Sequence, residues 1–209
     1  MARRQYNEQI IKVSAGILLL IVSLVGLEYG SLLRAMNQAA EDYGRTDAEA
    51  SLKRYDHIEG QLRSFGVIRL IPAGDRRILF LDEARSLYAL GRYDDALERL
   101  ERENQFSGTI SDSRFSLLRA EITFRKATKN NESAQADPQV LLDGMGAAED
   151  DLRESLRQEP NNWDAKYNFE YINHIRNELE RDQKEGMKVL PQIPDKKNQK
   201  KTLSPKQKT

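Results

Sequence analysis

The longest uncharged apolar run of the chain lies near its beginning, where residues 13–27 read VSAGILLLIVSLVGL. Ile10 and Tyr29 extend it to residues 10–29, which matches the roughly 20 apolar residues that a helix needs to cross a bilayer. A buried core helix would show a polar stripe, and this run has none. The segment EYGSLLRAMNQAA that follows offers no small-x-small cleavage site close to the apolar end. The pattern favours a membrane anchor, and a cleaved signal peptide is the alternative.

Basic residues before the apolar run predict its orientation. Arg3 and Arg4 precede the run, and positive charges next to a span stay on the cytoplasmic side. We therefore expect residues 1–9 in the cytoplasm and everything after the span outside it, which in a bacterium means a single-pass inner-membrane protein with a periplasmic C-terminal domain. The lysine-rich tail is too far from the span to change this orientation.

Helical periodicity continues after the span, and residues 30–75 are interpreted as a membrane-proximal helical segment. Leu52, Tyr55 and Ile58 recur at spacings of three residues, and Asp47 is a suitable N-cap in front of them. The sequence GVIRLIPAGD then interrupts the helix, and residues 67–71 are predicted to form a short extended segment. We expect the helix after Asp47 to pack onto the next part of the chain.

Residues 76–183 are predicted to form a helical domain that begins with RRILFLDEARSLYALGRYDDALERLERE. Two helices meet at Gly91, which can adopt the left-handed conformation that ends a helix. Tyr93 can wedge between the helices, and Ala96 lets them approach closely. This arrangement resembles a tetratricopeptide repeat, with Phe80 as the large residue early in the first helix.

A second unit is indicated by Ala148 and Pro160, which have the spacing of the key alanine and the closing proline of the same repeat. Its first helix is SRFSLLRAEITFRKAT, and residues 129–138 are predicted to be a polar loop between its two helices. One further helix starts after Pro160 and is either the first helix of a third unit or a cap. The predicted fold class is all-α, an N-terminal transmembrane helix followed by a short tetratricopeptide-like α-helical hairpin solenoid.

Three aromatic residues at helical spacing follow Pro160. Trp163, Tyr167 and Tyr171 share one side of a helix because each lies four residues from the next. The favoured interpretation is that Tyr167 and Tyr171 pack back onto Leu152 and Leu156, with binding on the opposite, concave side. The other interpretation is that the three rings form an exposed interface for a partner.

Composition and charge narrow the possible functions. The 209 residues include no cysteine, so disulfides, thiolate metal sites and a cysteine nucleophile are excluded. The net charge of zero divides into +2 for residues 1–12 and +5 for residues 185–209, which leaves −7 between them. An acidic body is a poor nucleic-acid binder. Residues 184–209 form a basic tail that we expect to be disordered.

No catalytic, metal or cofactor motif stands out in the sequence. His57 and His174 have no second histidine or carboxylate set at metal-ligand spacing. The acidic run of residues 149–151 is interpreted as a solvated helix face, and the scattered glycines form no phosphate-binding loop. We therefore expect a protein that is not an enzyme, binds no cofactor, metal or small-molecule substrate, and acts through contacts with other proteins.

Over residues 78–176 the chain resembles MxaK-type membrane-anchored accessory proteins of bacterial methanol-oxidation clusters. The resemblance rests on FSLLRAEITFRKA followed by DLRESLRQEPNNWDAKYNFEYI. It implies a scaffold that assists maturation or activation of a periplasmic methanol dehydrogenase, with a MoxR-type ATPase or von Willebrand factor A-domain membrane proteins as further partners. A general envelope adaptor of the same architecture and a subunit of a membrane-bound enzyme are the alternatives.

Overall fold

A computed structural model describes residues 2–103, 106, 112–131 and 137–185, with side chains from Lys12 to Asp182. Within these residues the chain is entirely helical, without strands, which confirms the predicted all-α class. In chain order the helices are α1 (Ala2–Gly44), α2 (Ala48–Ser64), α3 (Ala73–Ala89), α4 (Tyr93–Arg102), α5 (Ser113–Asn131), α6 (Pro138–Gln158) and α7 (Trp163–Glu185).

Helix α1 is one uninterrupted helix of 43 residues that combines an apolar half with a half that packs onto the rest of the protein. It is the one helix in the described part of the chain that is long and apolar enough to cross a membrane, with a mean hydropathy of 2.0 over its most apolar window. Further along, Met36 and Ala39 are buried beside Tyr55 and Ile58 of α2. No linker separates the two halves.

A tight turn sends α2 back along α1. Thr46 adopts a positive φ of 69°, and the Asp47 carboxylate caps α2 by accepting a hydrogen bond of 2.9 Å from the Ala50 N–H. The predicted N-cap is therefore confirmed. An ion pair between Arg54 and Asp42 lies close to the turn, while the Tyr55 hydroxyl donates to the Met36 carbonyl at 3.3 Å, so the two helices run antiparallel.

The connection between α2 and α3 is a compact turn. Gly66 has φ +67°, and the Val67 N–H donates to the Leu62 carbonyl at 3.0 Å, which is the Schellman pattern of a helix end. The Leu70 N–H then donates to the Val67 carbonyl at 2.8 Å. The predicted extended segment over residues 67–71 is therefore wrong, because local turn hydrogen bonds satisfy this backbone and no neighbouring strand is present.

Helices α3 and α4 form the hairpin predicted around Gly91. Gly91 has φ +73°, and the Arg92 N–H donates to the Leu87 carbonyl at 2.9 Å, so the expected left-handed helix end is confirmed. Phe80 and Ala96 are both fully buried, as this hairpin requires. Tyr93 packs against Tyr88 with ring centroids 5.9 Å apart. The assignment of these positions to a tetratricopeptide repeat stays a prediction.

Helix α2 supplies an additional layer against this hairpin. Leu52 joins the core cluster of Leu81 and Ala84, and the Ser51 and Ser86 hydroxyls hydrogen-bond at 3.1 Å. The expected packing of the membrane-proximal helix onto the helical domain is confirmed.

Helices α5, α6 and α7 form the second part of the core around Ala148, which is fully buried. Helix α5 runs to Asn131, so the predicted loop over residues 129–138 begins three residues too early, and residues 132–136 lie outside the described part of the chain. Pro160 directly follows the C-cap of α6, as expected. The boundaries at residues 9, 29, 75 and 183 stay predictions, and the tail beyond residue 185 lies outside the described residues.

Candidate protein-binding face

The side of α7 that packs against the core is not the aromatic side that the sequence analysis favoured. Ala165, Ile172 and Ile175 are buried against α5 and α6, whereas Trp163 is 78% exposed and Tyr167 is 61% exposed. The expectation that the aromatic side packs onto Leu152 and Leu156 is therefore wrong for these two rings. At about 100° per residue, the positions of Ala165 and Ile172 define a second apolar stripe, and its smaller side chains allow the closer helix contact.

The three rings follow one line along α7 from solvent towards the core. Tyr167 and Tyr171 stack with ring centroids 6.2 Å apart and ring planes 7° from parallel. Tyr171 is half-buried and meets the edge of Phe124 in α5 at 6.2 Å. At the exposed end, the Lys166 ammonium lies 5.0 Å from the centre of the Trp163 ring. The inner ring holds the outer one in place, so Tyr167 is a preorganised exposed aromatic.

The aromatic surface continues across α5 to α3. The Asn168 amide donates to the Glu121 carboxylate at 3.1 Å, which fixes α7 beside α5. Burial raises the pKa of Tyr88 and also that of Tyr171, and in both cases the positive charge of Arg125 opposes the rise. Arg125 therefore lies within electrostatic reach of rings on both sides of α5.

The end of α1 completes this surface. Burial raises the pKa of Tyr43, the Arg85 charge opposes that rise, and Glu121 adds to it, so Tyr43 lies near both α3 and α5. Four tyrosines are thus grouped around Glu121 and Arg125 of α5, two of them on α7 and one each on α1 and α3. We call this the tyrosine face and define it as Tyr43, Tyr88, Tyr167 and Tyr171.

The chemistry of the tyrosine face suits protein recognition. Tyrosine offers a large rigid ring and a polar hydroxyl at a small entropic cost, and Tyr, Trp and Arg are the residues most enriched at interface hot spots. Tyrosine hydroxyls are protonated at neutral pH, so each can donate a hydrogen bond, and the raised pKa values of Tyr43, Tyr88 and Tyr171 extend this to higher pH. Arg85 is paired with Asp82 at 2.8 Å, so its charge is balanced within α3.

A separate cluster of charged residues lies between α2, α3 and α4. Ligand oxygens of Asp56, Glu59 and Glu83 lie within 4.8 Å of one another, a grouping that could hold a metal ion. Three arginines occupy the same region and bind Glu59 at 2.6–2.7 Å: Arg63, Arg99 and Arg102. Because Asp56 and Glu59 are already paired with these arginines, a cation would have to displace an arginine. We assign this cluster the role of joining the three helices.

Glu83 is the most deeply buried member of this cluster. It is fully buried, no N–H group among the described residues donates to its carboxylate oxygens, and its hydrogen-bond partner is the Asp56 carboxyl group. The nearest cation is the Arg99 guanidinium at 3.6 Å. Burial, together with the negative charge of Glu59, raises the pKa of Glu83 from 4.5 to about 9. Glu83 is therefore neutral at physiological pH.

Glu83→Gln is expected to stabilise the protein at neutral and alkaline pH. Below pH 4.5 the carboxyl is protonated in both states, whereas at higher pH the unfolded chain ionises and the folded chain keeps its proton up to about pH 9. Wild-type stability therefore falls across this window, and the neutral amide avoids the loss. We expect a gain of up to about 5 kcal/mol at pH 8 that vanishes near pH 4, since each pH unit above 4.5 contributes about 1.4 kcal/mol. Thermal unfolding of the full chain in detergent across this pH range measures it, and an equal gain at both ends would contradict the assignment.

Another buried acid corrects the interpretation of residues 149–151 as a solvated face. Glu149 is fully buried, and its carboxylate pairs with Arg153 at 3.1 Å and with Arg176 of α7 at 3.0 Å. Asp150 is exposed as expected. Burial of Glu149 is possible because Arg176 of α7, 27 residues further along the chain, contributes a guanidinium. A local sequence pattern does not include so distant a partner.

Neither histidine belongs to a cluster of metal-ligand type in the described part of the chain. His57 is exposed on α2, and His174 lies 3.4 Å from Glu178 on the surface of α7. Comparison with protein-family models and with curated proteins found no match for this chain.

Proposed function

We propose that this chain is a membrane-anchored, non-catalytic scaffold that binds another protein on its tyrosine face. The observation that carries the proposal is the exposure of Tyr167 on a stacked pair of rings, beside Trp163 at the start of α7. Exposed aromatics normally cost solubility, and a preorganised group of them on one side of a helical array is typical of an interface.

The apolar half of α1 supports the anchoring part of the proposal. Residues 10–29 would cross the membrane, and Arg3 and Arg4 would keep the N-terminus in the cytoplasm. The helical domain would then lie in the bacterial periplasm. Because α1 continues without a linker into the packed domain, a bound partner would be held at a short and defined distance from the bilayer, which raises its effective concentration there.

The partner we propose is the maturation machinery of a periplasmic methanol dehydrogenase. This part of the proposal rests on the resemblance to MxaK-type accessory proteins over residues 78–176. The dehydrogenase itself, a MoxR-type ATPase and von Willebrand factor A-domain membrane proteins are the candidates. Exposed tyrosine rings favour recognition through ring contacts and hydroxyl hydrogen bonds.

Tyr167→Ala is expected to weaken partner binding strongly while leaving the fold intact. The ring is 61% exposed, so its removal should change the free energy of unfolding by less than about 1 kcal/mol. Loss of a central aromatic anchor from an interface costs about 2 kcal/mol or more, which is roughly a thirtyfold weaker affinity. Co-purification of the crosslinked full chain from native membranes, followed by identification of the captured proteins, measures the binding.

Val140→Ala is the matched control, since Val140 is a 51% exposed apolar residue of α6 outside the tyrosine face. It should retain the partner at the wild-type level. Unchanged capture by Tyr167→Ala would show that the tyrosine face is not the binding site. Capture of an unrelated envelope protein, lost in Tyr167→Ala, would retain the scaffold and replace methanol oxidation by the general adaptor function.

A further inference from the structure

Two large apolar side chains project from the turn between α2 and α3. Leu70 is 80% exposed and Phe65 is 77% exposed, although Ile68 between them is only 6% exposed. Ile68 inserts into the core and Gly66 closes the helix end, so the turn has a fixed shape that presents Phe65 and Leu70 outward. We call this turn, with its two apolar side chains, the apolar loop.

The helix geometry places the apolar loop at the level where the apolar run of α1 ends. From Tyr29 to Gly44, helix α1 advances by about 22 Å, and α2 returns by about 24 Å from Ala48 to Ser64 because the two helices are antiparallel. A direct contact supports this position of the apolar loop. The Tyr29 hydroxyl donates a hydrogen bond to the carboxylate of Asp75, which follows the loop in the chain. The last residue of the proposed span and the loop are therefore neighbours.

Basic side chains accompany the two apolar ones. Arg69 lies between Ile68 and Leu70 and is exposed, and Arg63, in the last turn of α2, has 45% of its side chain exposed. Apolar rings and aliphatic groups beside arginines are the composition that binds a membrane interface, where apolar groups enter the acyl boundary and cations meet the phosphates. A water-facing loop would have no need for this composition.

We propose that the apolar loop is a second membrane contact, in which Phe65 and Leu70 enter the interface of the same bilayer that α1 crosses and Arg69 meets its phosphates. This inference rests on the proposed anchoring through α1. The two contacts together fix the tilt of the helical domain on the membrane. The tyrosine face then points in one direction relative to the bilayer instead of sampling many.

The test uses the absence of cysteine from the chain, which allows one fluorophore to be placed at a chosen position. Leu70→Cys, Leu24→Cys and Val140→Cys full-length chains are labelled with an environment-sensitive dye and reconstituted in vesicles of zwitterionic and anionic phospholipid. Brominated acyl chains then quench any dye at the membrane. Only lipid and this chain are present, so a protein partner cannot account for quenching.

Leu24 lies inside the proposed span, and Val140 is at the far end of the domain. The Ser113 hydroxyl donates to Glu159 at 2.7 Å, which joins the start of α5 to the end of α6 and puts the start of α6, with Val140, at the opposite end. Lys129, near the end of α5, lies 5.3 Å from the centre of the Tyr93 ring just after the end of α3, so the start of α5 is on the side of the apolar loop. Leu24 therefore reports the anchor, and Val140 reports a surface away from it.

We expect the dyes at Leu70 and Leu24 to be quenched about twofold or more and the dye at Val140 to be unaffected, as for side chains at an acyl boundary and in water respectively. Quenching at Leu24 without quenching at Leu70 would overturn the loop contact and leave the anchor in place. Absence of quenching at Leu24 would overturn the anchor and the loop contact together. Equal quenching at Leu70 and Val140 would show a domain that lies flat on the membrane, which also contradicts the proposed tilt.

Discussion

Glu103→Gln should lower the free energy of unfolding by about 3–5 kcal/mol, the usual cost of breaking a buried ion pair from one side. The Arg76 guanidinium donates to the two Glu103 oxygens at 2.6 and 3.0 Å, and the side chains are 7% and 0% exposed. A neutral amide would leave the buried charge of Arg76 without its counter-ion. The Arg76 guanidinium also lies 5.1 Å from the centre of the Phe106 ring, so the surroundings offer little solvation. Chemical or thermal unfolding of the full chain in detergent measures the loss.

Two controls separate burial from charge. Glu41 pairs with Arg45, and the Glu41 side chain is 65% exposed. The free energy of unfolding of Glu41→Gln should therefore differ from that of wild type by less than about 1 kcal/mol. Replacing both Arg76 and Glu103 by Met should recover most of the stability, because it removes both buried charges, and Arg77, 3.9 Å from Glu103, is 33% exposed to solvent. A Glu103→Gln protein that unfolds like Glu41→Gln would mean that water reaches the Arg76 side chain in solution.

Structural features that depend on only a few neighbouring residues could be predicted from the sequence. The helix end at Gly91, the N-cap at Asp47 and the uncharged run of α1 each depend on the conformational preferences of adjacent residues. Phe80 and Ala96 were placed in the core correctly because both lie on helices with clear periodicity. Local rules therefore yield the all-α class and the first hairpin.

Buried acids were not predictable in the same way. The carboxylates of Glu83, Glu103 and Glu149 are fully buried, although their neighbours in the sequence look like a solvated helix face. Glu103 and Glu149 each pair with an arginine of another helix, 27 residues away in both cases, and Glu149 also pairs with Arg153 of its own helix. Whether an acidic position can be buried depends on that distant partner, and a window of one helix does not contain it.

The tyrosine face depends on the same kind of distant information. Spacing alone established that Trp163, Tyr167 and Tyr171 share a side of α7, but it did not establish which side α6 would cover. Ala165 packs closely in the core formed by α5, α6 and α7, and this packing determines which side of α7 is covered. Tyr43 and Tyr88 join the face only after α1 and α3 fold against each other and α5, so the sequence contained no signal that could group these four rings.

Gly144→Ala is expected to destabilise the protein by about 2–3 kcal/mol, although alanine is the better helix former. A Cβ at Gly144 would lie 2.4 Å from the Ala127 Cβ, against roughly 3.5–4.0 Å for an ordinary carbon contact. Neither backbone can move alone, because Met145 and Ala148 of α6 and Phe124 of α5 belong to the same buried cluster. The added methyl group must therefore push α5 and α6 apart along their contact. Thermal unfolding of the full chain in detergent measures the effect.

Gly146→Ala is the matched control on the same helix. A Cβ there meets nothing closer than the Arg176 Nη1 at 4.0 Å, so the variant should gain about 0.5–1 kcal/mol from helix propensity. Opposite signs at two positions of one helix cannot arise from propensity, which is the same for both substitutions. Adding Ala127→Gly to Gly144→Ala removes the group that the new methyl would strike, and most of the lost stability should return in the double variant. If the double variant is instead as unstable as the sum of the two single changes, the close approach of α5 and α6 at Gly144 does not exist in solution, and the second core cluster packs with a different register.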